Sequence, residues 1–285
     1  PGLKSDSERF AGAVRTYSIE AMMKDTKALQ AGTSHNLGQN FAKAFEIDYV
    51  DENNTLQHCW TTSWGLSTRF IGAIIMTHGD DQGLVMPPRL APTQVVIVPI
   101  FRKEGEKDLV MPVVEKIAAE LKAAGVRFKI DDRENVSPGF KFNEWELRGV
   151  PLRFEIGPRD VENSNVMTSR RDMPGKPGKK IMPQENIAVW TQDYLEEIQQ
   201  AMYDKAETFR DTNIHEPKDF EEFKLIVENG WAYSWWCEEE ECEAEIKAKT
   251  KATTRCIPLG QPEGEGVCIH CGKPAKKKIY FAKAY

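Results

Sequence analysis

The sequence predicts a multidomain chain of mixed α/β and α+β class, and three observations carry that expectation. Between Thr93 and Asn186, apolar runs of strand length alternate with amphipathic helical runs, the pattern of an α/β layer with some parallel pairing. A chain of 285 residues has room for two or three cores of ordinary size. The cysteines lie mostly toward the C-terminus, with a C-x4-C pair (Cys237, Cys242) and a C-x2-C pair (Cys268, Cys271) that set off a small tail. The expected segments are 1–92, 93–186 and 187–285, the first boundary falling at the proline-rich stretch MPPRLAP.

Taken in order, the first segment reads as short strands with one clear helix. FAKAFEIDYVD ends in a strand-like run, and HCWTTSWGL reads as another. From Ser67 the apolar residues Phe70, Ile71, Ile74 and Ile75 recur at helical spacing, Ser67 and Thr68 serve as caps, and the helix ends before HGDDQG. In the second segment TQVVIVPIF predicts a buried strand and DLVMPVVEKIAAELKAAG an amphipathic helix closed by Gly125. VRFKIDD and VPLRFEIGP predict two further strands with the short helix FKFNEWELRG between them, and RRDMPGKPGKKIMPQEN a mobile loop or hairpin tip. The third segment opens with a long helix over VWTQDYLEEIQQAMYDKAETFRD and closes in the cysteine-rich tail.

Composition narrows the function classes. No apolar run approaches the ~20 residues of a membrane span, and the start PGLKSDSERF has no apolar signal region. A net charge of −6 argues against a protein that coats nucleic acid non-specifically, while leaving room for a local basic face that reads one RNA. Six cysteines are too few for a disulfide scaffold in a chain this long, so metal ligation in a reducing compartment is the better expectation. No G-x-G-x-x-G follows a strand, which sets aside a dinucleotide-binding dehydrogenase.

Several constellations are candidates for chemistry. Arg69 in GLSTR starts a helix, where backbone N–H groups favour anions and a guanidinium adds a fork for phosphate oxygens. An isolated Ser-Thr-Arg is as readily a surface arginine behind a serine cap. In LQAGTSH, alternate strand residues share a face, so Thr33 and His35 can face one pocket, with Gln30 nearby. Trp64 and Gly65 are further candidates for that pocket, although a Trp beside a strand is more often core. Arg133, Lys141, Glu144 and Arg148, with Glu146 and Arg153 in the same stretch, are a charged set in which Arg or Lys can contact base edges and a carboxylate can accept from them. Each of them singly fits a solvated charged helix face equally well. Cys237, Cys242, Cys268 and Cys271 suit a tetrahedral Zn²⁺, with Gly272 easing the CIHCG turn and Cys256 or His270 as substitute ligands; disulfides or free thiols are the alternatives. Cys59 is expected to be a buried small hydrophobe.

AGTSHNLGQNFAKAF (31–45), SWGLSTRFIGAIIMTHGDDQGLVMPPRLAPTQVVIVP (63–99) and the ending FAKAY (281–285), with ERFAGA (8–13) and ATTRC (252–256), resemble the prolyl-tRNA synthetases of the archaeal/eukaryote-like type along essentially the whole chain. The resemblance implies part of a class II synthetase antiparallel-sheet catalytic domain with its motif 3 (1–92), an anticodon-binding domain (93–186) and a zinc-binding α+β tail (187–285). It implies ATP-dependent activation of proline to prolyl-adenylate and transfer to tRNA(Pro), with Mg²⁺ accompanying ATP, a structural Zn²⁺, a homodimeric full-length enzyme and a cytoplasmic location. It assigns Gln30, Thr33, Ser67 and Arg69 to ATP and His35, Trp64 and Gly65 to proline. It also tucks the terminal Tyr285 back toward the active site. In such chemistry the proline carboxylate itself attacks the α-phosphate, so positioning and charge neutralisation replace a side-chain nucleophile.

Motif 1, which makes the dimer interface, and motif 2, which holds the α-phosphate, are not found in these residues. The sequence is therefore expected to be the C-terminal portion of a longer enzyme, incomplete for catalysis as it stands. The competing expectations are a non-catalytic tRNA-binding module, which would not need motif 2, and a class II synthetase for another amino acid, which the cysteine tail and FAKAY ending oppose.

Overall fold

In the computed structural model, residues 1–103 and 105–285 are described, and they divide into two units, 1–77 with 208–285 and 78–207. No helix among the described residues is long and apolar enough to cross a membrane.

The first 77 residues hold β1 (Gly2–Leu3), β2 (Arg15–Met22), β3 (Ala28–Gly38), α1 (Asn40–Phe45), β4 (Asp48–Val50), β5 (Leu56–His58), β6 (Thr61–Leu66) and the start of α2 (Arg69–His78). The segment expected as short strands thus contains an eight- and an eleven-residue strand, joined at a turn over Met23–Lys27. The run HCWTTSWGL splits between β5 and β6, and FAKAF forms the extra helix α1, closed by Glu46 in the left-handed region. Helix α2 starts where the cap residues place it, with the Arg69 amide donating to Ser67 Oγ at 3.3 Å. Its Phe70 and Ala73 pack with Met23, Leu29 and Ala31 beneath the sheet.

The next unit is the α/β layer. Its elements are β7 (Val95–Pro99), α3 (Glu106–Ala123), β8 (Phe128–Ile130), α4 (Pro138–Leu147), β9 (Leu152–Ile156), α5 (Pro158–Glu162), β10 (Asn165–Arg170), β11 (Lys179–Pro183) and most of α6 (Ile187–Thr212). The strand order is β11-β10-β9-β7-β8, with β7 parallel to both β8 and β9 as the alternating pattern requires. Every residue of β7 and β9 is buried, the reading of a central strand covered on both faces. Val110, Val114, Ile117 and Leu121 form the helical stripe that α3 lays on the sheet. Gly125, at φ +74°, ends the run in the left-handed conformation that costs glycine least. The Pro/Gly/Lys stretch is the tip of an antiparallel hairpin between β10 and β11, pairing Ser169 with Lys179.

The C-terminal residues add β12 (Ile214–His215), α7 (Phe220–Asn229), β13 (Trp231–Trp236), α8 (Glu240–Thr250), β14 (Thr253–Thr254), β15 (Ile257–Pro258), β16 (Gly266–Val267), β17 (Pro274–Ala275) and β18 (Lys277–Ala282). Their four-stranded sheet runs β12-β13-β18-β14. Strand β15 leaves it to extend the N-terminal sheet, whose order is β15-β1-β2-β3-β6. The junction is ionic as well as hydrogen-bonded. The Glu20 carboxylate, 1% exposed in its side chain, accepts from Arg255 at 2.8 Å and from Lys4 at 3.4 Å. The Ser5 hydroxyl reaches the buried Glu243 of α8 at 3.1 Å.

Ile97, in the middle of β7, has no exposed surface. Ile97→Ala is expected to cost about 2–5 kcal/mol, the range for emptying a packed aliphatic site. Urea unfolding monitored on this unit would register the loss as a lower midpoint with an unchanged slope.

Candidate functional site

Three constellations stand out, and each is built by local rules. The first is an open groove of about 380 Å³ on β3 and β6 whose lining includes Gln30, Thr33, His35, Gly65, Ser67 and Arg69. Cross-strand register makes it: Thr33 lies opposite Gly65 and His35 opposite Ser63, so these four share one face. Trp64 also borders the groove but lies opposite Ser34, out of step with that set, and is 79% exposed. His35 is held from behind, its Nδ1 within 3.0 Å of the Thr16 hydroxyl and its ring 4.7 Å from that of Phe10. Arg69 is exposed, and its Nη1 donates to the Gln30 carbonyl at 3.0 Å. That bond fixes the fork at the N-terminus of α2 with its remaining donors turned to solvent, an arrangement suited to an anion.

The second constellation surrounds Asp131 at the end of β8. Its carboxylate, 2% exposed in the side chain, accepts from Arg133 Nε at 2.8 Å, Arg133 Nη2 at 2.7 Å and Trp145 Nε1 at 2.8 Å. Burial pushes the carboxyl up, but the hydrogen bonds from Arg133 and Trp145 with the charges of Arg133 and Lys141 outweigh it and hold it at about 2. Glu144 ties Arg133 (2.7 Å) to Arg148 (2.5 Å), and the Arg148 guanidinium lies 4.9 Å from the Trp145 ring centroid. Of the four charged candidates in this stretch, Lys141 is the one the fold takes inside. It is 3% exposed and donates to the Asp131 carbonyl at 2.9 Å, and its burial depresses its pKa. Arg153 is likewise buried, between Glu146 and Glu155 and 4.1 Å from the Phe142 ring centroid. The outer side of α4 therefore carries the exposed Phe140, Asn143 and Leu147 and the part-buried Glu144, which pairs with the exposed Arg148 just after the helix. Next to it lies a depression of about 460 Å³ whose lining includes Arg102, Lys103, Lys107 and Arg133. It sits outside the carboxyl ends of β7 and β8, where open parallel sheets receive ligands.

The third is the cysteine cluster. Cys237 follows β13, Cys242 lies in α8, and Cys268 and Cys271 occupy the turn after β16. Their sulfurs all fall within 4.8 Å of one another, with Cys242–Cys268 and Cys237–Cys271 both at 3.6 Å. Tetrahedral zinc at ~2.3 Å from each thiolate sets sulfurs about 3.8 Å apart, close to the two shortest separations here. Burial raises the Cys237 thiol to about 11 and Cys242 further, whereas for Cys268 the burial is outweighed by backbone N–H donors of Cys271, His270 and Cys237. His270 touches Cys242 at 3.5 Å through Nδ1 while its Nε2 is occupied by Lys249. Cys256 is outside the cluster, buried beside Gly2, and Cys59 is half-buried.

Three family models match the segments in which these constellations lie. Residues 3–78 match the tRNA synthetase class II core domain (G, H, P, S and T), residues 94–189 the anticodon binding domain, and residues 220–285 the prolyl-tRNA synthetase C-terminal domain. The proline–tRNA ligase of Roseiflexus castenholzii is 57% identical over 284 residues, covering 100% of this chain and 59% of the relative. The chain belongs to the prolyl-tRNA synthetase family and matches its C-terminal portion. A crystal structure of the Cryptosporidium parvum prolyl-tRNA synthetase with halofuginone and AMPPNP superposes with a TM-score of 0.92 at 40% identity, covering 100% of this chain and 59% of that one. The same enzyme with L-proline and AMP gives 0.90 at 40% identity, covering 100% and 61%. The chain thus spans about three fifths of the length of these synthetases.

The residues that sequence reasoning passed over are supporting ones. Thr16 and Phe10 orient His35, and the strand alternation of RTYSIEAM was the available signal for Thr16. The Asp131–Trp145 contact carries no local mark, since it joins the end of β8 to α4. Tyr285 lies beside the start of β3, its amide donating to the Ala28 carbonyl at 3.4 Å and its hydroxyl to Asp25 at 2.6 Å, and is not among the residues lining the groove.

The depressed Asp131 carboxyl contributes stability that is present above its unfolded value, near 3.8, and is lost as pH falls through about 2. From the size of that shift, wild type is expected to lose about 2 kcal/mol between pH 5 and pH 2 relative to Asp131→Asn. Urea titrations of both proteins across that range check it; parallel pH profiles would remove Asp131 from the account.

Proposed function

We propose that this chain supplies motif 3, the anticodon-binding domain and the C-terminal domain of a cytoplasmic, homodimeric enzyme that ligates proline to tRNA(Pro) through prolyl-adenylate. The observation that carries the reading is the clustering of Gln30, Thr33, His35, Ser67 and Arg69 in one groove within the segment matching a class II core domain. Arg69 is the group for the phosphate end of ATP, with Mg²⁺ accompanying the nucleotide. Ser67, Gln30 and Thr33 serve its adenosine side without charge. His35, held by Thr16 and Phe10, closes the proline side with Gly65 and Trp64. None of these donates or accepts a proton in the bond-making step; their work is orientation and charge compensation.

The working parts are 1–92, 93–186 and 187–285. For the second, the exposed face of α4 is the anticodon reader. Phe140 offers a stacking surface for an unpaired base, and the Glu144–Arg148 pair offers an acceptor and a donor fork to guanine edges. Arg133 supplies the adjoining cation, and Lys141 supports the platform from within by its bond to the Asp131 carbonyl. For the third, Cys237, Cys242, Cys268 and Cys271 hold a structural Zn²⁺, whose contribution is to close a small domain with few other staples.

Binding of this chain to tRNA(Pro) is compared with binding to the same tRNA carrying both anticodon guanines changed to cytosine. The expected loss is ~1–3 kcal/mol per base, and Glu144→Gln should shrink the discrimination. Equal affinity for the two RNAs, or none for either, would withdraw the anticodon reading. Purified chain is also expected to carry about one zinc per molecule, as a tetrathiolate site does, and to melt at lower temperature after chelation. A metal-free chain with unchanged melting would refute the zinc assignment.

A further inference from the structure

The turn between β2 and β3 is strained and is held from outside. Thr26, a β-branched residue, has φ +62°, a conformation such residues rarely adopt. Its carbonyl accepts from the Trp231 indole at 2.7 Å, and the neighbouring Asp25 accepts from the Tyr285 hydroxyl at 2.6 Å. Lys27 sits 5.2 Å from the Tyr285 ring centroid. The chain end then runs beside β3. Ala28 donates to the Lys283 carbonyl at 2.8 Å and bridges Ala284 in parallel. Trp231, 4% exposed, packs with Ala28 and Ala282 in a small core of their own.

Both holding residues sit at the end of one ribbon. Trp231 begins β13, and Cys237 follows its last residue; Tyr285 lies just beyond β18, which pairs with β13 from Ala232–Phe281 to Trp236–Lys277. The Ile269 amide, inside the cysteine turn, donates to the Trp235 carbonyl at 3.1 Å. From the turn, β3 leads directly to Gln30, Thr33 and His35.

We propose that Trp231 and Tyr285 are positioning residues for the groove: they clamp the strained β2–β3 turn, keep β3 in register, and through the β13–β18 ribbon tie that strand to the cysteine cluster. The consequence for substrate rests on the reading of the groove given above, but the clamp itself does not.

Hydrogen exchange of the full chain, loaded with zinc, tests the clamp on Tyr285→Phe, which keeps the ring and deletes one donor, and on Trp231→Phe, which deletes the indole donor together with part of the ring. Amides of 24–33 are expected to exchange about two- to tenfold faster in either variant, the factor that one hydrogen bond of ordinary net strength supports, while rates in α7 and in β7 stay as in wild type. Adding Thr26→Gly to either variant removes the left-handed penalty and is expected to slow 24–33 again, a rescue that general damage to the core would not allow. Unchanged rates in 24–33, acceleration spread evenly through α7 and β13, or no rescue by Thr26→Gly would each overturn the clamp. Stripping zinc with a chelator should also speed 24–33 in wild type; opening confined to 237–271 would sever the link to the cluster. AMPPNP binding, followed on the same samples, separates the two ideas. A wild type that fails to bind AMPPNP overturns the nucleotide reading alone, whereas weaker binding in Tyr285→Phe at unchanged melting temperature supports positioning.

Discussion

Glu20 keeps a carboxylate inside the protein, between an ammonium from the third residue after Pro1 and a guanidinium from Arg255, and the unit formed by the two ends of the chain turns on that arrangement. A charge so enclosed is tolerable only while both partners and their geometry persist; losing one of them typically costs about 3–5 kcal/mol. Buried ion pairs are poor sources of net stability but strong selectors of geometry, because few alternative packings satisfy the same three groups. Here the selected geometry places β1 between β2 and β15, which extends the N-terminal sheet with a strand from the far end of the sequence. The groove on β3 and β6 and the cysteine cluster are thereby parts of one body.

That body gives the groove its character. A class of chemistry without a side-chain nucleophile depends on how firmly polar groups are held, and the groove residues are held by their neighbours. Thr16 and Phe10 fix the imidazole of His35; the Gln30 carbonyl fixes Arg69. The anticodon-type domain solves the same problem with Asp131. There a single buried carboxylate fixes an arginine and an indole, and the lysine beside it bonds the carbonyl of the same residue.

Periodicity was enough to read much of this from the amino acids. The alternation of apolar strands and amphipathic helices over 93–186 determines a parallel-centred sheet, because each run can bury only one kind of surface. The spacing of four cysteines told of a cluster, since thiols in pairs three and five residues apart need only two local segments to converge. Strand alternation put Thr33 and His35 on one face. Other features were illegible for equally physical reasons. NVMTSR, polar and unremarkable, is a strand only because β9 and β11 flank it. Arg133, Lys141, Glu144 and Arg148 look alike as charged letters, and only tertiary packing sends Lys141 inward and leaves Glu144 and Arg148 on the outer face of α4. The contacts of Asp25 and Thr26 with Tyr285 and Trp231 span more than 200 residues, with no local signal at either end.

Strand β6 closes the N-terminal sheet on one side, and all but its first residue are exposed. Its outer backbone edge presents alternating donors and acceptors flanked by Trp64 and Leu66, 79% and 70% exposed. Edges of that kind recruit other strands; natural sheets blunt them with lysines or prolines, neither of which TTSWGL contains, and the irregularity in the β3–β6 pairing lies on the β3 side, between Asn36 and Gly38. In a chain that spans 59% of its relatives' length, that edge is the point at which the sheet beneath the groove can be continued by a further strand, so the strand that borders the groove is also the one that would carry such a join.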